Sequence, residues 1–211
     1  MVRSRASAIR REIIRACRRL DAKGLLAGAE GNVSARAGDQ LLITPAGRCK
    51  ADLTAAQLVK TDLFGRPDRR AVKPSSELPL HVAIYAARSD VGAVVHAHPV
   101  AATAFAVARQ PIPRGALAEI AGVLGPIPLV PYLASGGTAL AAAVAKALGG
   151  ANVALLASHG AVAVGPTIAV ALQRMESLEQ AARIVVIARI LGGEGKLKAA
   201  ELRSLERAWR A

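Results

Sequence analysis

The segment VGAVVHAHPV, residues 91–100, decides how the rest of the chain is read. Its valine-rich apolar run reads as a β-strand, and Pro99 reads as the start of the next helix. Side chains two apart on a strand share a face. His96 and His98 are therefore expected to reach one ion together. A distant segment, VALLASHGAVAVG at residues 153–165, also reads as strand, a hairpin about Gly160 that contributes His159. A third imidazole arriving from another strand completes a three-histidine set with an open coordination position. That pattern belongs to catalytic rather than structural metals. Three imidazoles suit Zn²⁺, and Mn²⁺, Fe²⁺ or Co²⁺ as well. His81, on an expected helix after SSELPL, lacks this spacing and reads as structural.

Outward from this segment, helix and strand signals mix. Residues 4–23 read as an amphipathic helix with Ile9, Ile13, Cys17 and Leu20 near one face and Gly24 as its stop. EGNVSARAGDQLLITPAG, residues 30–47, reads as two short strands joined by a Gly-Asp turn. Thr54-Ala-Ala-Gln57 is a capping-box pattern opening a short helix, and LVKTDLFG after it reads as strand and turn. Pro74-Ser75-Ser76-Glu77 opens a helix to about Arg88, with Ser75 or Ser76 as N-cap and Pro79 tolerated in the first turn. IPLVPY reads as a strand, residues 138–148 and 167–191 as helices, and a last basic helix follows Gly192-Gly193. The mixture predicts an α/β fold with helices packed on a central, mostly antiparallel sheet. The hairpins argue against an all-parallel sheet, and no GxGxxG is present.

Composition narrows the function classes. A length of 211 residues predicts a single domain, 1–211. Hydrophobic residues make up 53% and aromatics only 2%, so the core must be built from Ala, Val, Leu and Ile. Cys17 and Cys49 are too few for a disulfide framework, which points to a reducing, cytoplasmic setting. The basic start lacks the apolar stretch of a secretory signal, and no run of about 20 apolar residues suggests a membrane span. A net charge of +13 invites a nucleic-acid reading. The charge, however, gathers on the first helix, around Lys60–Lys73 and near the C-terminal end, with no aromatics interleaved for stacking bases. It reads as a solvated arginine-rich surface that attracts anionic substrates, with no nucleic-acid partner.

Three separated segments carry anion-binding chemistry. In Glu30-Gly31-Asn32 a glycine allows close backbone approach and an amide can donate. Thr44-Pro45-Ala46-Gly47 reads as a tight turn with free N–H groups. Ser75-Ser76 sits at a helix N-terminus, where unpaired N–H groups and the dipole favour an anion. Glu77 follows directly. A carboxylate beside both a metal and an anionic ligand would have a perturbed pKa suited to proton transfer.

GNVSAR, LLITPAG, KPSSELPLHVAIY, VGAVVHAHP and LLASHGAVAVG, in this order and at this spacing, resemble the class II aldolase and adducin-head family over roughly residues 5–192. The likeness is closest to its fuculose-phosphate aldolase branch. The resemblance implies a three-layer fold and a homotetramer with active sites at subunit interfaces. It implies that His96, His98 and His159 bind Zn²⁺ and that Glu77 is the acid/base. It implies that Gly31, Asn32, Ala46, Gly47, Ser75 and Ser76 line a phosphate site. The implied reaction joins or splits a short ketose 1-phosphate, giving dihydroxyacetone phosphate and an aldehyde through an enediolate. The 4-epimerases of the family carry aspartate where this chain has Glu77, and some decarboxylases carry lysine for the second serine. Both comparisons favour an aldolase. Adducin heads lack the metal histidines that this chain keeps. The chain departs from the family in lacking the tyrosines used on the aldehyde half; Tyr85 and Tyr132 read as structural. Glu119, a lone carboxylate in an apolar run, occupies that region, where dehydratase relatives place a catalytic glutamate; it reads equally as a helix-surface residue. A dehydratase, epimerase or decarboxylase on the same scaffold is thus the alternative.

Overall fold

Seven strands form one sheet in the order β3-β2-β1-β4-β7-β6-β5 in the computed structural model, which describes residues 2–68 and 72–208. The elements run α1 (Val2–Ala22), β1 (Asn32–Arg36), β2 (Gln40–Ile43), β3 (Val59–Asp62), α2 (Leu78–Ala87), β4 (Ala93–Ala97), α3 (Val100–Ala108), β5 (Leu129–Val130), α4 (Thr138–Ala147), β6 (Val153–Leu156), β7 (Gly160–Gly165), α5 (Ile168–Ile190) and α6 (Ala199–Ala208). Every strand pair is antiparallel except the edge pair β5–β6. The expected fold class holds.

The two faces of the sheet are covered by different helices, which explains why its central strands are apolar almost throughout. Val33 and Ala35 of β1, Ala93, Val95 and Ala97 of β4, and Ala161 and Ala163 of β7 pack with residues of α1, α3 and α5. Val94, Val162 and Val164 alternate with them and pack with Leu80 and Ile84 of α2 and Leu140 and Val144 of α4. His96 belongs to this second set by the period of two. In register, Asn32 of β1 lies beside it on one side and Val162 of β7 on the other. Slipping either pairing by one residue would turn the imidazole to the wrong face.

Local expectations are met in most places. The capping box at Thr54 and Gln57 forms, over a 3₁₀ turn at Ala55–Gln57. Thr167 caps α5 by accepting from the Val170 N–H at 3.3 Å. Pro79 falls in the first turn of α2, but Glu77, not Ser75 or Ser76, is the N-cap residue. The reason is visible in the hydrogen bonds. The Ser75 hydroxyl accepts from the Glu77 N–H at 3.3 Å, forming a turn that delays the helix by one or two residues.

An unexpected cap joins α5 to α3. Glu179, buried on α5, accepts from the N–H groups of Ala101 and Ala102 at 3.1 and 3.0 Å and is paired with Arg183 at 2.7 Å. It satisfies two orphan donors at the start of α3 and complements that end of the dipole. Because α3 starts two residues after His98, the cap also fixes where the chain turns away from the histidines.

Candidate metal and phosphate site

His96, His98 and His159 come together, each offering a nitrogen within 4.8 Å of the others. His96 is on β4, as expected. His98 lies one residue beyond the end of β4, and His159 lies in the turn between β6 and β7 rather than on a strand. The shared face therefore survives the strand's end. It is held there by the His98 N–H, which donates to the Leu25 carbonyl at 3.1 Å. The β6–β7 turn is tight: Ser158 adopts φ +54°, and the His159 N–H donates to Leu156 O at 3.0 Å. Gly160 is required next to it. A Cβ there would stand 2.6 Å from both the Ala97 carbonyl and a carbon of the His98 ring.

The outward nitrogens of two rings are spoken for. His96 Nδ1 donates to Ala161 O at 2.9 Å, and His98 Nδ1 lies 3.1 Å from the Glu30 carboxylate. Their Nε2 atoms then face each other at 3.2 Å. At that distance the two nitrogens need a proton or a cation between them. The donor set fits a divalent ion: imidazoles whose far nitrogens are held by a carbonyl and a carboxylate are a common ligand arrangement. Glu30, which orients His98, was not singled out as a metal-site residue in the sequence.

Glu77 is buried at the N-terminus of α2, with its oxygens 3.0 Å from His96 Nε2 and 3.4 Å from His159 Nε2. It borders the same point as the three rings and is placed to be a fourth ligand or a proton carrier. Asn32 Nδ2 donates to one oxygen at 2.9 Å and Ser135 Oγ to the other at 3.0 Å. Burial alone would raise its pKa. The hydrogen bond and charge of His96, the Asn32 amide and the charge of His159 outweigh burial and hold the carboxyl well below the usual range. Burial and the neighbouring His96 lower His98, and lower His159 to about 4. Glu77 thus rests as a carboxylate beside neutral His98 and His159.

Behind Glu77 runs a buried chain of polar groups. The Asn32 carbonyl oxygen is bonded to His81 Nε2, whose Nδ1 lies 2.6 Å from Ser34 Oγ, which in turn lies 2.8 Å from the Tyr85 hydroxyl. Since the Asn32 amide nitrogen donates to Glu77, its oxygen must accept from His81. The tautomer is thereby fixed: Nε2 carries the proton and Nδ1 accepts from Ser34. His81 and Tyr85 are structural, as expected, but His81 acts on the site through Asn32. Tyr132, expected to be structural, is instead 65% exposed.

The three anion-binding segments meet at this same end of the sheet. Pro45 bridges to Pro74, the Ser75 N–H donates to Thr44 O at 3.2 Å, and the Ala46 N–H donates to Lys73 O at 3.0 Å. Ala46 therefore lacks the free N–H expected of it. Among the described residues, the N–H groups of Gly31, Gly47 and Ser76 have no protein acceptor. Gly31 and Gly47 take φ values of +64° and +63°, which favour glycine. At Gly31 a side chain is excluded outright, since a Cβ would stand 2.7 Å from His96 O. Asn32 is placed differently from expectation: both ends of its amide are engaged by Glu77 and His81.

Glu119 does not join this group. It is exposed, so the burial cost that singled it out does not apply. It lines a separate hollow of about 720 Å³ with Lys23, Leu117 and Glu176, and neither Glu77 nor any of the three histidines lines that hollow.

The family model of the Class II Aldolase and Adducin N-terminal domain matches residues 11–186. The chain belongs to this family and is a lyase of the class II aldolase type. It is 39% identical over 175 residues to the 5-methylthioribulose-1-phosphate/5-deoxyribulose-1-phosphate aldolase of Rhodospirillum rubrum, spanning 83% of this chain and 79% of that one. It is 36% identical over 174 residues to the L-fuculose phosphate aldolase of Escherichia coli strain K12, spanning 82% and 80%. A solved L-fuculose 1-phosphate aldolase superposes with a TM-score of 0.90 at 29% identity, covering 97% of both chains.

Proposed function

We propose that this chain is a metal-dependent aldolase acting on a short ketose 1-phosphate, yielding or consuming dihydroxyacetone phosphate and an aldehyde. The observation that carries the reading is the position of Glu77. Its carboxylate lies against the His96 and His159 imidazoles and sits directly after the serine pair that supplies one side of the anion cradle. A phosphate held by the free N–H groups of Gly31, Gly47 and Ser76 would bring the adjoining carbons to Glu77. Gly31, Asn32, Ala46, Gly47, Ser75 and Ser76 remain the proposed phosphate residues, with Asn32 and Ala46 acting by shaping the cradle. A divalent ion held by His96, His98 and His159, Zn²⁺ foremost, would polarise the ketose oxygens and stabilise negative charge there. Glu77, ionised at rest, accepts a proton from the carbon next to the carbonyl, or returns one to it. Asn32 and Ser135 keep its oxygens aimed during that transfer. The relatives' names supply the first substrates to test, 5-deoxyribulose 1-phosphate and L-fuculose 1-phosphate.

The alternative of dehydratase chemistry leaned on Glu119, and the separate hollow around that residue favours the aldolase. We further propose one domain over residues 1–211, a cytoplasmic setting consistent with free Cys17 and Cys49, and a homotetramer. Exposed Val100, Val107, Ile187, Ile190 and Leu191 support self-association. No helix among the described residues is long and apolar enough to cross a membrane.

The test is proton exchange at C3 of dihydroxyacetone phosphate in D₂O, followed by NMR with metal-loaded and EDTA-treated protein. The proposal expects exchange that depends on the metal. A folded, metal-loaded protein that exchanges nothing would rule out this role for Glu77.

A further inference from the structure

Lys50 is 2% exposed and takes no part in the chemistry above. Its ammonium donates to Ala29 O at 2.7 Å and to Arg48 O at 2.8 Å, and its backbone N–H donates to Gly28 O at 3.1 Å. Burial lowers its pKa, Cys17 and Cys49 are its titratable neighbours, and no carboxylate among the described residues lies within ion-pair distance. A buried cation without a counter-charge is costly and needs a reason.

The reason lies in what the three bonds connect. The β1–β2 pairing ends at Val33 and Thr44, where the Thr44 N–H donates to Val33 O at 3.1 Å. Beyond that point the chain splits into two walls of the anion cradle, residues 28–31 and residues 45–50. The second wall is tied to the third, residues 73–75, by backbone bonds alone. Among the described residues, the first wall is tied to the second only by Lys50. The carbonyls that it grips stand two residues before Gly31 and one after Gly47, the two glycines whose N–H groups are free.

We propose that Lys50 is a positioning residue for substrate phosphate, a clamp that holds the Gly31 and Gly47 donors at the separation one phosphate group requires. This rests on the cradle reading above. Its charge also has a physical use there, since a phosphate bound nearby would supply the missing counter-charge. The ammonium makes no bond to His96, His98, His159 or Glu77, so the clamp is separable from the proton-transfer machinery.

The test compares the full chain with Lys50→Met, of similar length and without charge, and with Lys50→Gln. Inorganic phosphate is titrated by calorimetry into EDTA-treated protein, so that no metal contributes. The ketose 1-phosphate KM and kcat are measured on the metal-loaded form. The expected result is a phosphate Kd and a KM raised at least tenfold in Lys50→Met, with kcat within about threefold and the metal content unchanged. Lys50→Gln, which retains a donor, should lie between the two. Equal phosphate Kd values for a folded Lys50→Met and the parent would overturn the clamp and leave the cradle standing. No phosphate binding by the parent would overturn the cradle, and the clamp with it. If neither variant folds, amide hydrogen exchange on the parent decides. Inorganic phosphate should then protect residues 28–31 and 45–50 together, and protection of one loop alone would overturn the proposal.

Discussion

Lowering the pH should destabilise the protein through His81 before the carboxylates begin to titrate, and His81→Gln should remove that part of the acid sensitivity. Burial holds this imidazole at a pKa of about 3, against about 6.5 in an unfolded chain. The folded value is the depressed one, so the unfolded state takes up the proton first. The contribution of neutral His81 is complete above about pH 6.5 and is lost as the pH falls from there toward 3. At pH 5 the unfolded chain has gained about 1.5 pH units of advantage, which at about 1.4 kcal/mol per unit is about 2 kcal/mol. Glutamine can keep the pattern of bonds, accepting from Ser34 and donating to Asn32, but cannot take the proton. Its own cost at pH 8 should be about 1–2 kcal/mol, from the smaller side chain. Urea unfolding of both proteins in EDTA, at intervals from pH 8 to pH 5, measures the difference. The parent should lose about 2 kcal/mol more than the variant over that span. All other titrating groups are common to the two proteins and cancel. Two stability curves that stay parallel within about 0.5 kcal/mol would refute the argument, and with it the assigned tautomer of the Asn32–His81–Ser34 chain.

Glu77→Gln should keep the fold and the metal but lower kcat/KM by about 10²–10⁴-fold; an active variant in steady-state assays would remove Glu77 from the reaction. Glu30→Gln should weaken metal binding about 10–100-fold, read by competition with a chromogenic chelator, because His98 loses the carboxylate behind its far nitrogen. An unchanged affinity would show that the 3.1 Å contact is incidental. Gly160→Ala should displace the His98 ring and the Ala97 carbonyl, each 2.6 Å from the new carbon. The expected readouts are a lower Tm and substoichiometric metal by mass spectrometry; full occupancy would argue that the hairpin yields easily.

The parts of the site legible in the sequence are those written in a short span. His96 and His98 are two residues apart, Glu77 follows its serine pair directly, and the hairpin around His159 carries its own glycine. The strand period predicted the face of His96 correctly, although β4 ends before His98. Glu30 and His81 were read in other terms and Ser135 drew no notice, because their partners lie 68, 49 and 58 residues away and no local pattern marks such pairs. Lys50 drew no notice in the sequence, since nothing in GRCKAD announces a buried side chain. Glu119 was open to two readings, a carboxylate costly to bury or a residue on a helix surface, and the π-helical turn at Ile120–Leu124 leaves it on the outside while burying Ile120 and Leu124.

The separation of the ligating segments along the chain has a consequence for the life of the protein in a cell. An unfolded molecule can offer an ion only the neighbouring pair His96 and His98. The third imidazole and Glu77 arrive only when β4 has paired with β7 and α2 has docked on the sheet. A metal held at the proposed site would therefore bind finished molecules far better than unfinished ones, and by mass action it would protect what it binds. Free metal at 100 times its dissociation constant would add about 2.7 kcal/mol, roughly a hundredfold drop in the fraction open to proteases. The supply of the ion would then govern how long each copy survives as well as whether it turns over substrate.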